Sequence, residues 1–428
     1  MYTVVSRRGG VIHLRRWRVA VVGLVLAVGF AAGAGGASAA PVPASGTVTA
    51  AASTPSIPLG SALWFACTEP FFDGPWSLAC PVPYSPQYLQ TFLAGFQRFT
   101  PENEIKMEYL EPEQGHFNFS VADQIAEFAQ TYHKTIRGHT LLWFRQNPWW
   151  LIHPLVPWTR NSLLAVMKTY ITTVVGHFAN EFPGVVTEWD VVNEPLTPRG
   201  HMAWNPWEYY IGPDYIGLAL EYAHAADPSA KLVINDLDNE TPGAPKTDAE
   251  LALATQLKES GAPLDAVGFE SHVTPDTAPS YEQLVTLWDQ YKAADLQVEV
   301  TELDVGNDNG VDDPAAKQAV FETYARACLV VGNCIGLTVW GVADQYSWLG
   351  PNTDALLYDT SFQATPAVGV VHQLLDGVLT EPKQQPKQQP KPKPKPKQQP
   401  KPRRSGRRYV RHRGHHHGGN HHRGHRRH

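Results

Sequence analysis

The amino-acid sequence predicts a (β/α)8 TIM barrel followed by a disordered basic C-terminal tail. Short apolar runs typical of buried strands alternate with longer segments whose apolar residues recur at helical spacing, and this alternation favours a parallel sheet. Eight such runs, recurring about every 40 residues, favour one closed barrel over two open sheets. With 43% hydrophobic and 11% aromatic residues, the chain of 428 residues has enough apolar side chain for a large core.

The expected strands follow one another along the chain. They lie at 62–66, near Phe99, and at 135–143, 187–193, 231–236, 266–272, 296–305 and 336–342. Helical segments such as 162–182 and 215–228 separate them. The second of these segments has apolar residues at 216, 219, 220 and 223, which is the spacing of one helix face.

The N-terminal segment 1–39 is predicted to be a secretory signal peptide. Arginines precede an apolar run that is too short and too rich in glycine to span a membrane stably, and Ala37-Ser38-Ala39 forms a small-residue cleavage site. Residues 40–57 are expected to be a flexible lead-in, and residues 58–379 the barrel. The mature protein is therefore expected to be secreted, monomeric and free of the membrane.

The charge is divided between an acidic body and a basic tail. The formal net charge is −6, yet nearly all charged residues from Glu381 onward are Lys or Arg. Residues 380–428 begin with KQQP and KP units and continue with Arg, His and Gly, so they are expected to be disordered. This tail is either a solvated extension or a segment that binds an anionic cell-wall polymer through point charges. Nucleic acid is not an expected partner of a secreted protein.

Four cysteines allow three disulfide pairings, and export from the cell permits disulfides to persist. The local pairs Cys67–Cys80 and Cys328–Cys334 are favoured because each pair is close in sequence and closes a short loop. Free buried thiols are the less favoured alternative outside the cell.

Polar and aromatic side chains end several of the expected strands. The carboxyl ends of barrel strands meet at one face, and the chemistry of such barrels sits there. The body shows no metal-like cluster of His and Cys, no phosphate-binding glycine loop and no Gly-x-Ser-x-Gly elbow, so neither a metal nor a cofactor is expected. Carboxylates, amides and tryptophans together suit a sugar, because apolar ring faces stack while hydroxyls need donors and acceptors. These strand-end residues are His139, Trp143, Asn193, Glu194, Glu270, His272, Glu302, Asp304 and Trp340.

Two carboxylates have the spacing that glycoside hydrolysis requires. Glu194 and Glu302 end strands about three repeats apart, which places them nearly across the mouth of an eight-stranded barrel. One carboxyl must be protonated to assist the leaving oxygen, and the other must be ionised to attack the sugar or to activate water. On spacing alone, two ordinary strand-end carboxylates are the alternative.

Eight segments, in order and at matching strand ends, resemble glycoside hydrolase family 10, whose best-known members are retaining endo-β-1,4-xylanases. The resemblance implies an enzyme that cleaves internal β-1,4-xylosidic bonds of a xylan-like polysaccharide by double displacement, and the predicted signal peptide implies that it is secreted. The segments are TPENEIK (100–106), EPEQGHFNF (111–119), IRGHTLLW (136–143), EWDVVNE (188–194), ADPSAKLVIND (226–236), GFESH (268–272), VTELDV (300–305) and CIGLTVWGVADQYSWL (334–349).

The resemblance also implies roles for individual residues. Glu194 becomes the general acid/base and Glu302 the nucleophile, with about 5–5.5 Å expected between the carboxyls of a retaining pair. Asn193 is expected to bond the sugar 2-hydroxyl, while His272 and Asp304 support the nucleophile. Cys328–Cys334 matches a disulfide of the family. The remaining substrate-binding residues implied are Glu102, Asn103, Lys106, His139, Trp143, Glu270, Trp340 and Trp348.

Three positions depart from the family pattern. Phe144-Arg145-Gln146 stands where His-Ser-Gln is common, Glu270 where Gln is usual, and Asp238 where Asn is common. An extra carboxylate beside two others should raise at least one pKa unless a cation compensates, so we hypothesise an Arg145–Glu270 pair. These departures leave open another β-linked glycan or a plant glycoside as substrate. A non-catalytic glycan-binding barrel is disfavoured because both candidate catalytic carboxylates are present.

Overall fold

The computed structural model of the protein describes residues 57–65, 85–308 and 310–376. The predicted signal peptide, nearly all of the lead-in, the basic tail and the Cys67–Cys80 pair lie outside these residues. The other predicted disulfide is formed, and Cys328–Cys334 joins the last turn of a helix to the first residue of the strand that follows it.

The described strands form one closed parallel barrel. Neighbours follow the order β6-β5-β4-β3-β2-β1-β9-β8, and pairing of β6 with β8 closes the ring. The short β7 pairs with the end of β8 and occupies the same barrel position as β6, so eight positions result and the predicted fold is confirmed. The strands are Leu59–Leu63 (β1), Arg98–Pro101 (β2), Thr135–Leu142 (β3), Val186–Asn193 (β4), Lys231–Asp236 (β5), Ala266–Phe269 (β6), His272–Val273 (β7), Gln297–Val305 (β8) and Cys334–Val339 (β9).

Helices connect these strands and pack their apolar faces on the barrel. The longest, α5, begins at a capping box in which Thr159 and Ser162 bond each other's backbone N–H groups. In the described part of the chain, no helix is both long and apolar enough to cross a membrane. The helices are Pro86–Gly95 (α1), Met107–Leu110 (α2), Ser120–Thr131 (α3), Trp149–Ile152 (α4), Arg160–Glu181 (α5), Pro206–Ile211 (α6), Tyr215–Ala226 (α7), Pro245–Glu259 (α8), Tyr281–Ala293 (α9), Pro314–Val331 (α10) and Pro366–Leu375 (α11).

Several strand boundaries differ from those predicted, among them those of the first and sixth predicted strands. The first strand spans Leu59–Leu63, three residues earlier at both ends than predicted, and Gly60 lies within it. A Cβ at Gly60 would lie 2.5 Å from Oγ1 of Thr338 on the neighbouring strand, so glycine is needed for close packing. The predicted sixth strand is interrupted after Phe269, where Ser271 adopts a φ of 61° before β7 resumes.

A buried layer of charge fills the barrel interior near the amino ends of the strands. Arg98 Nη1 lies 2.7 Å from Glu188 Oε1 and also contacts Glu299. Arg137 Nε lies 3.1 Å from Glu299 Oε1, and its Nη2 lies 2.8 Å from Asp190 Oδ1. Such pairs are stable in a low dielectric only when every charge has a partner, so this layer holds the side chains above it in fixed positions.

Candidate active site

The backbone takes an uncommon conformation at the carboxyl ends of four successive strands. Gln146, Glu194, Asp238 and Ser271 follow β3, β4, β5 and β6 and have φ values of 47°, 50°, 53° and 61°. Non-glycine residues rarely occupy this left-handed region, and those that do cluster at functional sites. Each of these residues turns the chain after a strand ends, and Glu194 is itself one of the predicted site residues.

Glu302, near the end of β8, is buried and contacted from three directions. Asn235 Nδ2 donates a hydrogen bond of 2.9 Å to Oε1, and His139 Nδ1 lies 3.9 Å from the same oxygen. His272 Nε2 lies 3.3 Å from Oε2. Burial by itself would raise the pKa of Glu302, but the hydrogen bond from His272 and its interactions with His139 and His272 lower it overall. The group is therefore held as a carboxylate.

The side chain of His272 is fixed by both of its ring nitrogens. Its Nδ1 lies 3.0 Å from Asp304 Oδ2, which also accepts a hydrogen bond of 2.6 Å from Nε1 of Trp348. The rings of Trp340 and Trp348 lie 6.2 Å and 5.2 Å from the imidazole. Burial favours the neutral ring, but Asp304 and Glu302 outweigh it and raise the pKa of His272 well above its usual range. His272 is thus a cation beside the Glu302 carboxylate.

His139 occupies the opposite side of Glu302 and is anchored from below. Its Nδ1 lies 2.9 Å from Asp190 Oδ2, and Asp190 is also bound by both terminal nitrogens of Arg137. The ring of Trp340 lies 5.5 Å from the His139 ring. The charge layer of the barrel therefore reaches the site through Asp190 and orients the imidazole.

Glu194, the residue after β4, differs from Glu302 in its electrostatics. Burial first and the Glu302 charge second raise the pKa of Glu194, while Arg145 and Lys246 partly offset them. Asn193 Nδ2 lies 3.4 Å from Glu194 Oε1. The two carboxyls thus have pKa values displaced in opposite directions, which is how an acid and an ionised group coexist in one site.

Glu270 is the extra carboxyl of the site, and Asn235 ties it to Glu302. Asn235 Nδ2 lies 3.2 Å from Glu270 Oε1 and 2.8 Å from Asn193 Oδ1, besides its bond to Glu302. Burial first, then the charges of Glu302 and Glu194, raise the pKa of Glu270 well above its usual range. One atom each of Glu270, His272 and Glu302 lie within 4.8 Å of one another, the only such group of metal-ligand type in the described chain.

The hypothesised Arg145–Glu270 pair is wrong. The Arg145 guanidinium lies over the rings of Phe144 and Trp143, at 4.9 Å and 5.6 Å, and no ion pair of the described residues joins it to Glu270. His272, whose Nε2 is 3.8 Å from Oε2, is the cation beside Glu270. The sequence could not reveal this, because the loop after β3 carries Arg145 toward Glu194.

Two members of the predicted trio, Asn103 and Lys106, are in direct contact, and Glu102 interacts electrostatically with Lys106. Lys106 Nζ donates a hydrogen bond of 2.7 Å to Gln146 Oε1 and lies 3.4 Å from Asn103 Oδ1. The same nitrogen lies 4.7 Å from the centre of the Trp143 ring. Burial lowers the pKa of Lys106 despite the carboxylates around it. Burial and Glu104 raise the pKa of Glu102 to about 8. All predicted site residues therefore lie at one end of the barrel.

Sequence reasoning missed Asn235, Gln146 and Lys246. Asn235 could have been found by the signal that singled out Asn193, since both are amides at a strand end. Gln146 offered only its place in a strand-end loop. Lys246, whose Nζ lies 2.7 Å from Asp236 Oδ1, begins helix α8 and carries no local sign of a buried pair.

Comparisons with known proteins agree with this geometry. Residues 80–374 match the profile described as Glycosyl hydrolase family 10. Endo-1,4-beta-xylanase 1 of Humicola insolens is 38% identical over 283 residues, which cover 64% of this chain and 63% of that protein. The chain thus spans less than two thirds of the length of this curated relative.

Solved structures show the same fold. Native xylanase 10B from Thermotoga maritima is 30% identical with a TM-score of 0.67, and the match covers 76% of this chain and 96% of that one. Xylanase 10B from Thermotoga petrophila in complex with xylobiose is 29% identical with a TM-score of 0.67, covering 76% and 95%. The profile match spans well over half of the chain. The chain therefore belongs to glycosyl hydrolase family 10.

Proposed function

We propose that the protein hydrolyses internal β-1,4-xylosidic bonds of xylan with retention of anomeric configuration. The observation that carries the proposal is the pair Glu194 and Glu302, whose pKa values are displaced upward and downward at the rim of one barrel. The xylanase names of the relatives and the xylobiose bound to one of them support the substrate class. Retaining hydrolysis needs just such a proton donor and such a nucleophile.

In the first step, a carboxylate oxygen of Glu302 attacks the anomeric carbon while the bond to the leaving oxygen breaks. Glu194 donates its proton to that oxygen, so the leaving sugar departs as a neutral alcohol and a glycosyl ester forms on Glu302. The Asn235 and His272 contacts orient Glu302 for attack without neutralising it. Asn193 beside them is placed to bond the 2-hydroxyl of the reacting sugar.

In the second step, the ionised Glu194 removes a proton from water, and the resulting oxygen nucleophile attacks the anomeric carbon. The ester bond to Glu302 breaks, and the product carries the original configuration. Loss of the Glu302 charge in the intermediate removes one cause of the raised pKa of Glu194. Glu194 is therefore a stronger acid in this step, which suits its change of role from acid to base.

The aromatic and cationic groups supply the sugar contacts. Trp340 lies between His139 and His272 and offers an apolar floor, while Trp348 covers His272 and is 60% exposed. Lys106 and Asn103 present donors and acceptors beside Trp143. Stacking faces with polar groups at their edges are what a pyranose requires.

The test is release of reducing ends from xylan by the wild-type protein and by Glu302→Gln. We expect the variant to lose at least about 10⁴-fold in kcat, because a neutral amide cannot form the ester. Glu113→Gln, an exposed carboxylate outside the residues assigned to the site, is the matched control and should retain full activity. Proton NMR of the first product should show the β-anomer. Wild-type release confined to cellulose or aryl glycosides would redirect the substrate assignment, and no release at all would favour a glycan-binding barrel.

Secretion and the tail form a second part of the proposal. We propose that residues 1–39 direct export and that the basic residues 380–428 hold the enzyme on an anionic cell-wall polymer. A chain ending at residue 379 should keep the kcat of the full chain on soluble xylooligosaccharide but lose salt-sensitive retention on teichoic-acid-bearing cell walls. Equal retention of both chains at low salt would contradict the wall-binding role.

A further inference from the structure

Three side chains at the ends of β6, β7 and β8 are arranged differently from what sugar binding alone requires. His272 has its Nδ1 occupied by Asp304 at 3.0 Å, so only Nε2 faces the cleft. A carboxylate on the far nitrogen is the support that metal-binding histidines usually have, because it fixes the tautomer and the ring orientation. The imidazole is therefore already oriented as a ligand through Nε2.

The two carboxyls beside His272 are oriented in the same way. Nδ2 of Asn235 binds Oε1 of Glu302 at 2.9 Å and Oε1 of Glu270 at 3.2 Å. Their second oxygens both point at the imidazole, with Oε2 of Glu302 at 3.3 Å and Oε2 of Glu270 at 3.8 Å from Nε2. Each carboxyl is thus anchored by one oxygen and presents the other to a common point.

Asn235 is itself held firmly. Oδ1 of Asn235 accepts a bond of 2.6 Å from Oγ1 of Thr301, and a Cβ at Gly268 would lie 2.3 Å from the same oxygen. The bond from Thr301 and the contacts of Nδ2 with both carboxyls hold the amide in place, and Glu270 is only 3% exposed. A preoriented, buried set of ligands loses little entropy when it binds an ion.

The spacing fits a tetrahedral transition-metal ion. Ligand atoms at the usual zinc distance of about 2.1 Å lie about 3.4 Å from one another. The two distances from Nε2 bracket this value, and one possible ligand atom from each of the three residues lies within 4.8 Å of the others. One nitrogen and two carboxylate oxygens leave a fourth position for water, as in open zinc sites.

We propose that Glu270, His272 and Glu302 form a binding site for a divalent transition-metal ion such as Zn²⁺, which blocks the cleft when bound. When the ion binds, the proton on Nε2 of His272 is released to solvent, and Nε2 and a carboxylate oxygen of Glu302 become ligands, so Glu302 can no longer attack the sugar. The metal site does not depend on the reaction, whereas the inhibition rests on the proposed role of Glu302. Glu270 is the decisive residue, because an amide in its place would leave one carboxylate and one imidazole.

The experiment titrates the full-length protein with ZnCl₂ by calorimetry in a buffer that does not bind zinc, and repeats this with Glu270→Gln. The substitution keeps the shape and the Asn235 contact, and circular dichroism confirms folding. Glu102→Gln is the matched control, since it removes another carboxyl of the cleft and leaves the three ligands intact. The histidines after Arg411 are present in all variants, so their zinc cancels in the comparison.

We expect wild type and Glu102→Gln to bind one more zinc equivalent than Glu270→Gln. Zinc should inhibit wild-type xylan hydrolysis at a concentration at least about tenfold lower than for Glu270→Gln, and chelator should reverse it. Mg²⁺ should not inhibit, since imidazole is a poor ligand for it. Equal zinc stoichiometry in wild type and Glu270→Gln would overturn the proposal. A calorimetric difference without inhibition would support the site and count against Glu302 as the nucleophile.

Discussion

At the scale of single residues, the environment of Glu194 decides its proton affinity. Burial and Glu302 raise its pKa, and the positive charge of Arg145 opposes them. Arg145 stands where the family pattern commonly has a small polar residue, so this chain has a cation that can tune its acid. In the proposed mechanism Glu194 must be protonated in the first step, so we expect the alkaline limb of activity to follow this group.

Arg145→Met should therefore move the alkaline limb of kcat/KM to higher pH. Removal of a positive charge makes the Glu194 carboxylate less stable, which raises its pKa and keeps it protonated at higher pH. The pH profile on an aryl xylobioside measures the effect. Arg145→Lys keeps the positive charge and should show the wild-type alkaline limb. Arg160→Met removes an arginine from an exposed ion pair with Asp214 and should leave the limb in place. A limb that stays in place in Arg145→Met would exclude this role.

Substitution of Trp348 can separate a role in substrate binding from a role in stability. It is 60% exposed, and its indole N–H donates to Asp304. Trp348→Ala should raise KM for xylooligosaccharide about tenfold and leave Tm unchanged, because a sugar face loses its stacking partner while no core is opened. Trp348→Phe should have a KM close to that of the wild type, because its ring can still stack on a sugar. A large fall in Tm for the Ala variant would instead assign Trp348 a structural role.

At the scale of secondary-structure elements, glycines decide how closely neighbouring strands approach the site. Gly268 in β6 faces Asn235 of β5 and Thr301 of β8, and a Cβ there would lie 2.3 Å from Asn235 Oδ1 and 2.8 Å from Thr301 Cγ2. The amide that joins Glu302, Glu270 and Asn193 therefore depends on a position without a side chain.

Gly268→Ala should lower kcat at least tenfold and destabilise the fold by about 1–3 kcal/mol, since the added methyl displaces Asn235. Steady-state kinetics and urea unfolding check both effects. Gly176→Ala is the matched control, because it lies in helix α5 with no atom closer than 4.0 Å to its added Cβ. That change should leave kcat unchanged and increase the free energy of unfolding by up to about 1 kcal/mol. Full activity in Gly268→Ala would contradict the role of Asn235.

At the scale of the whole molecule, buried carboxyls link stability to pH. Burial is the main cause that raises the pKa of Asp236 to about 6, of Glu188 to about 7 and of Glu102 to about 8. Each group has a higher pKa in the folded state than in the unfolded chain. Its stabilising contribution is therefore complete below about pH 4 and is lost as the pH rises through the folded pKa.

The folded protein should accordingly have a higher Tm at pH 5 than at pH 8. Differential scanning calorimetry in buffers of equal ionic strength measures this difference. Glu188→Gln should reduce the difference, because the amide has no proton to lose, and the exposed Glu113→Gln should leave it unchanged. A Tm that is equal or higher at pH 8 would show that the buried carboxyls do not dominate the balance.

The sequence by itself determined the order of strands and helices, the barrel and the identity of the two candidate catalytic carboxyls. These depend on local signals: apolar runs of strand length, helical spacing and reactive residues placed directly after a strand. It did not predict the break between β6 and β7, since an apolar run does not reveal a single residue with positive φ.

Only the tertiary structure decided which of the strand-end groups touch. Asn235, which the sequence analysis did not single out, is the amide that binds both Glu270 and Glu302. Arg145 turned toward Glu194, and His272 became the cation beside Glu270. Such contacts join residues from different strands, and they are set by barrel closure, by the inward direction of each side chain and by small residues that leave space. Sequence spacing carries none of these distances, whereas a closed sheet fixes all of them at once.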